Sequence, residues 1–163
     1  MTAFARHDGR GVIIISFVLA LLLTIFPLPE WAVSLRPEWV ALVLIYWVLA
    51  LPHRVGVGYA WVVGLFLDVL RGAILGQHAL ALTVIAYLAL KLHQRIRVYP
   101  LWQQSLSILI LVTLFQLLVL WINGIIGKPT SSWAYWIPAL TSMLIWPAVY
   151  LILRHVRRDL GVS

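Results

Sequence analysis

The sequence predicts an all-α membrane protein: a single polytopic domain over residues 1–163 with six transmembrane helices and both termini on the cytoplasmic side. Three observations carry this. Of the 163 residues, 63% are hydrophobic and only 10% charged, against roughly 45–50% and about 25% in ordinary soluble domains. A water-soluble fold of this size cannot bury so much apolar surface. Six apolar stretches approach the roughly 20 residues needed to cross a hydrocarbon core about 30 Å thick. Finally, the Lys and Arg residues concentrate on alternate connectors.

The first stretch, residues 12–28, follows Arg6 and Arg10. The second, 39–52, is short unless it begins at Pro37, giving 37–52; proline suits a first helical turn because it has no N–H to satisfy. The third covers 55–72. The fourth, 77–95, reaches its length by letting its terminal basic side chains snorkel toward water. The fifth covers 102–126 and the sixth 133–153. Pro147 is expected to kink the sixth by removing a backbone hydrogen bond, and Pro138 to do the same nearer its start. Trp31, Trp39, Trp102 and Trp133 stand near stretch ends, where an interfacial aromatic belt would place them.

With the N-terminus inside, Arg6, Arg10, Arg54, Lys91, Arg95, Arg97, Arg154, Arg157 and Arg158 are cytoplasmic, and only Arg36, Arg71 and Lys128 lie outside. The net charge of +7 therefore reads as a topology signal. A nucleic-acid face would gather its basic residues along one groove-sized surface, and no nucleic-acid partner is expected. Arg154, Arg157 and Arg158 read as a cytoplasmic topology anchor, with contact to anionic lipid or an acidic partner as the other use. Arg6, Arg10, the apolar run and Ala32-Val33-Ser34 imitate a cleaved signal peptide. The run is long for that role, and its loss would spoil the charge alternation, so retention is expected.

Catalytic signatures are missing. The absence of Cys removes disulfides, thiol nucleophiles and zinc ribbons, and there is no H-E-x-x-H, G-x-S-x-G or phosphate-cradling glycine loop. No enzyme activity, cofactor or metal is expected. Asp8, Glu30, Glu38 and Asp159 fall in tails and connectors, whereas Asp68 falls inside a stretch. An ionisable group there is costly and faces protein or a wet cavity.

Around Asp68, small residues recur four apart: Gly56, Ala60, Gly64, then Gly72 and Gly76. Positions four apart drift by about 40° per step, so Ala60, Gly64 and Asp68 share a face. Small residues there let helices approach closely, and the face, extended to Gly72, reads as a helix- or partner-docking surface. Asp68 itself is read as structural, paired with Arg71 at i,i+3 or hydrogen-bonded to a neighbouring helix. The rival account is a proton or ligand site, disfavoured because no second titrating group is evident. His78 at the mouth of the fourth stretch asks for no functional role, and Gln103, Gln104, Gln116 and Asn123 read as helix-joining amides.

Several local patterns then act together: Arg36-Pro37-Glu38-Trp39, Tyr46-Trp47, the run from Leu49 to Val55, Gly64 with Leu67-Asp68, Gly72, Leu75-Gly76, Leu101-Trp102-Gln103-Gln104 and Trp146-Pro147. Their order and spacing, from about Arg10 to Arg158, resemble the rod-shape-determining MreD family of gamma-proteobacterial type. The resemblance implies a non-enzymatic scaffold of the bacterial inner membrane in the elongation machinery (elongasome), helping to control side-wall peptidoglycan synthesis. Its implied partners are the single-span periplasmic protein MreC, then MreB, RodZ, a RodA-type glycosyltransferase and its transpeptidase, membrane lipids, and a second copy of the chain within the complex. It also implies the six-helix fold of vitamin-transporter S components, whose outward pocket makes Arg36, Glu38, Trp61 and Arg71 candidate lining residues. Arg71 is not part of the family pattern. From that fold comes the alternative reading, a membrane-embedded small-molecule binding or transport component, which fold likeness alone does not decide.

Overall fold

The computed structural model describes residues 10–33, 35–53, 55–72, 74–127 and 133–159. Expectations resting on Arg6, Ser34, Arg54 and Lys128, and on the chain ends, lie outside these residues. Among the described residues every regular element is helical. Six long helices follow one another: α1 (Arg10–Ile25), α2 (Trp39–Ala50), α3 (Val57–Arg71), α4 (Gln77–Val98), α5 (Leu101–Ile125) and α6 (Ile137–Asp159). A single helical turn, Glu30–Val33, lies between α1 and α2, and a 3-10 turn, Trp133–Trp136, leads into α6.

Each long helix falls on one of the six apolar stretches, with ends shifted by a few residues. The helices α4, α5 and α6 are each long and apolar enough to cross a membrane, whereas α1 and α2 are apolar but shorter. The breaks have local causes. Leu51 leaves the helical region (φ −130°, ψ 65°) because the following Pro52 disfavours it. Gly72 closes α3 in the left-handed region (φ 66°), as C-terminal glycines commonly do. Tyr99 is extended ahead of Pro100, which opens α5. Pro138 falls in the first turn of α6, where its missing N–H has no intrahelical acceptor to lose. The kink expected there is thus without a cause, while Pro147 does sit inside the helix.

At the centre is α2, whose residues Val40 to Leu49 are all buried. A helix apolar on every side belongs inside a bundle, and α2 touches α1, α4 and α6. Trp47 is fully buried and donates its indole N–H to Ser16 Oγ of α1 at 2.8 Å. Trp146 of α6, also fully buried, donates to Gln104 Oε1 of α5 at 3.2 Å.

The most extensive pairing is α3 with α4. It depends on Gly64: a Cβ there would lie 2.2 Å from Ala79 Cα and 2.7 Å from Ala79 N. Ala60 is also fully buried. The small-residue face therefore receives the chain's own α4, and the surface expected to take a partner's span is filled from within. Outside, Ile14, Leu19, Phe66, Val69, Ile110 and Leu144 are each more than half exposed. Such a belt suits lipid, which satisfies apolar side chains without burying them in protein, so that packing and hydrogen bonds hold the helices together.

Candidate functional site

The turn between α3 and α4 brings the charged residues at this end of the bundle together. Gly76, the residue preceding α4, has φ 103° and no side chain to cap the helix. Asp68 supplies the cap from α3. Its Oδ2 accepts the N–H of Gly76 at 2.8 Å and of Ala79 at 3.4 Å, and its Oδ1 accepts the N–H of His78 at 2.7 Å. A carboxylate thus occupies the positive end of a 22-residue helix, satisfying donors that have no intrahelical partner. Asp68 is wholly buried, and this is what makes its burial tolerable.

His78 joins the cluster through its ring. Nδ1 lies 2.8 Å from Asp68 Oδ1, and Nε2 lies 3.2 Å from Arg71 Nη1. A guanidinium only donates, so Nε2 accepts and the ring proton sits on Nδ1, facing the carboxylate. The neutral imidazole bridges an anion to a cation. Arg71 donates from Nη2 to Glu38 Oε2 at 3.1 Å, and the Glu38 N–H donates to Ser142 Oγ of α6 at 3.0 Å. The chain Asp68–His78–Arg71–Glu38–Ser142 therefore ties α3 and α4 to the start of α2 and to α6.

Of the two structural readings of Asp68, the i,i+3 pair with Arg71 does not form, and the hydrogen bond to a neighbouring helix does. Asp68 points inward to α4, and Arg71 reaches instead to Glu38. The titrating partner that the sequence did not reveal is His78, ten positions on and buried. The one available signal was the pair of glycines, Gly72 and Gly76, which fold the two segments face to face.

Beside this network lies an open cavity of about 410 Å³, bounded by Arg71, Gln77, His78, Asn123 and Tyr135. Gln77 Nε2 donates to Asn123 Oδ1 at 2.6 Å, linking α4 to α5. Gln116 Nε2 donates to the Tyr135 carbonyl at 2.9 Å, and the Tyr135 hydroxyl donates to the Gln116 carbonyl at 2.6 Å. Gln104, Gln116 and Asn123 thus join segments, as amides in spans do.

Of the four expected pocket residues, only Arg71 borders this cavity. Glu38 stands behind it as the partner of Arg71. Arg36 is elsewhere: its Nη1 donates to the Thr24 carbonyl at 2.5 Å and its Nη2 to the Phe26 carbonyl at 2.6 Å, closing the end of α1. Trp61 faces outward from α3, 43% exposed. Gly72 lies exposed in the turn. Arg154, Arg157 and Arg158 stand at the opposite end of the bundle, around a smaller cavity of about 180 Å³.

The stretch matched by a family model contains every residue of this network. The family model described as rod shape-determining protein MreD matches residues 5–156. The chain belongs to the MreD family. A rod shape-determining protein MreD of Haemophilus influenzae is 37% identical over 142 residues, covering 87% of this chain and 88% of that protein. No solved structure matches the chain. Membership of the MreD family, with the apolar helices, makes this a membrane protein and supports a role in cell shape.

Proposed function

We propose that the protein is a non-enzymatic scaffold of the bacterial inner membrane, one polytopic domain of six spans with both termini cytoplasmic. It holds the single span of an MreC-type protein in the cell-elongation complex and so helps control side-wall peptidoglycan synthesis. The observation that carries this is the MreD family match over nearly the whole chain. The described residues form helices and short connectors, so action on a partner falls to helix contact and to the bundle's two ends. The segregation of Arg36 and Arg71 from Arg97, Arg154, Arg157 and Arg158, at opposite ends of the bundle, supports the assigned orientation. MreB, RodZ, the RodA-type glycosyltransferase and its transpeptidase are further partners of the same assembly, and a second copy of the chain is another.

The test is affinity purification of the tagged chain in mild detergent from a rod-shaped host, with native mass measurement. Stoichiometric recovery of a single-span MreC-type protein is expected. The 410 Å³ cavity beside Arg71 favours one second reading, a small-molecule binding or transport component of S-component type. Recovery of the chain with ATPase subunits and a bound small molecule would establish that reading and overturn the scaffold.

A further inference from the structure

We propose that the end of the bundle opposite Asp68 holds a phosphate-binding pocket built by Tyr46, Arg97, Arg154 and Arg157. The cavity of about 180 Å³ opens between the C-terminal ends of α2, α4 and α6 and the first turns of α5. Liquid water occupies about 30 Å³ per molecule, so the space accommodates a phosphate group with a few waters. Among the described residues no carboxylate lines it. Asp159, the acidic residue at the end of α6, pairs with His155 at 2.9 Å on the exposed surface.

Arginines near helix C-termini have an ordinary explanation: they offset the negative ends of the helix dipoles and hold topology. That accounts for the charge, but not for Tyr46. This residue is 1% exposed, and its hydroxyl has no hydrogen-bond partner among the described residues. Its ring is wedged edge-on against Trp47 and Tyr150, with centroids 5.2 and 5.7 Å away, so the hydroxyl is held at the cavity wall. The neighbouring polar side chain is fully engaged: Gln104 Nε2 donates to the Ile96 carbonyl at 3.1 Å while its Oε1 accepts from Trp146. A buried hydroxyl without an acceptor is destabilising and calls for an explanation. A phosphate oxygen is the acceptor that both the hydroxyl and the surrounding guanidinium forks suit, because Arg meets phosphate with two parallel N–H donors. The phosphate belongs either to an anionic lipid headgroup or to a small phosphorylated solute. The pocket does not depend on the scaffold reading, which rests on the family match and not on this cavity.

The test is thermal unfolding of the full chain in a neutral maltoside detergent, followed by the fluorescence of its 9 Trp. The probes are dioctanoyl phosphatidic acid, dioctanoyl phosphatidylcholine and glycerol 3-phosphate. Phosphatidic acid is expected to raise the midpoint by several degrees and saturably, and phosphatidylcholine to leave it unchanged. Tyr46→Phe, which keeps the ring packing, should weaken the apparent affinity about three- to tenfold, the worth of one hydrogen bond. Arg154→Gln with Arg157→Gln should weaken it by more than tenfold. Arg95→Gln, which removes one charge at the same end outside the cavity, should change nothing. A response to glycerol 3-phosphate equal to that for phosphatidic acid assigns a soluble phosphate, and a response to the lipid alone assigns a headgroup. Equal shifts from both lipids, an unchanged affinity in Tyr46→Phe, or an Arg95→Gln loss matching that of the pocket arginines would each overturn the proposal.

Discussion

Asp68 Oδ1 receives both the backbone N–H and the ring Nδ1 of His78, at 2.7 and 2.8 Å. One oxygen thus fixes the first turn of α4 and the plane of a buried imidazole together. The carboxylate belongs to α3, the donors to α4, and the turn between them is only Gly72 to Gly76 long. The cap is therefore also the clasp of a helical hairpin.

Removing that clasp should be expensive. Asp68→Ala leaves three backbone N–H groups and a ring nitrogen facing a void, and should lower unfolding stability by about 3 kcal/mol. Asp68→Asn keeps one acceptor oxygen but turns an amide toward donors, and should lose about 1–2 kcal/mol. Denaturation of the purified protein in mild detergent reads both. Wild-type stability in Asp68→Ala would refute the capping role.

Gly64 and Gly58 make a matched pair on α3. At Gly64→Ala the new methyl meets the α4 backbone at 2.2 Å, so the two helices must part, at about 1–3 kcal/mol for an overpacked contact. At Gly58→Ala nothing lies within 4 Å, and the change should be neutral or stabilising by a few tenths of a kcal/mol, in line with helix propensity. Thermal midpoints that move alike in the two variants would show that α3 and α4 are not in close contact.

Glu38 and Arg71 should be energetically coupled. Glu38 is buried, and truncating Arg71 to Gln leaves its charge with less compensation. A double-mutant cycle of Glu38→Gln and Arg71→Gln, read by unfolding, should give a coupling of about 0.5–2 kcal/mol, the double variant losing less than the two singles combined. Additive losses would mean that the 3.1 Å contact contributes nothing.

Arg36 should matter through its shape. Arg36→Ala frees the Thr24 and Phe26 carbonyls and should raise amide hydrogen exchange in the last turn of α1, with a stability loss of about 1–2 kcal/mol. Arg36→Lys keeps the charge but lacks a planar fork for two carbonyls, so it should rescue little. Full rescue by lysine would assign Arg36 a purely electrostatic part.

Hydropathy made the helices legible because a span announces itself by length and apolarity, and every apolar stretch carries one helix. The burial of Asp68 was legible too, since a carboxylate in lipid has nowhere else to go. Its partner was not. Helical spacing connects residues three or four apart, and Asp68 and His78 meet only because the intervening turn reverses direction. Gly64 was read correctly as a close-approach site, but periodicity describes one helix at a time and does not say whose backbone approaches. The displacement of Arg36 from the expected pocket has the same root: its acceptors, Thr24 and Phe26, are carbonyls, and a sequence does not display its free carbonyls.

The enclosure of α2 also bears on the order of synthesis. α2 leaves the ribosome well before α4 and α6, the two helices that cover it together with α1. About 100 residues separate its end from the end of α6, and at about 5–20 residues per second this interval lasts on the order of ten seconds. For that time the most thoroughly packed segment of the finished bundle is in contact with lipid or with the insertion machinery. Assembly therefore proceeds from the centre outward, the late helices closing over an early one, and a nascent chain arrested before α6 retains an uncovered centre.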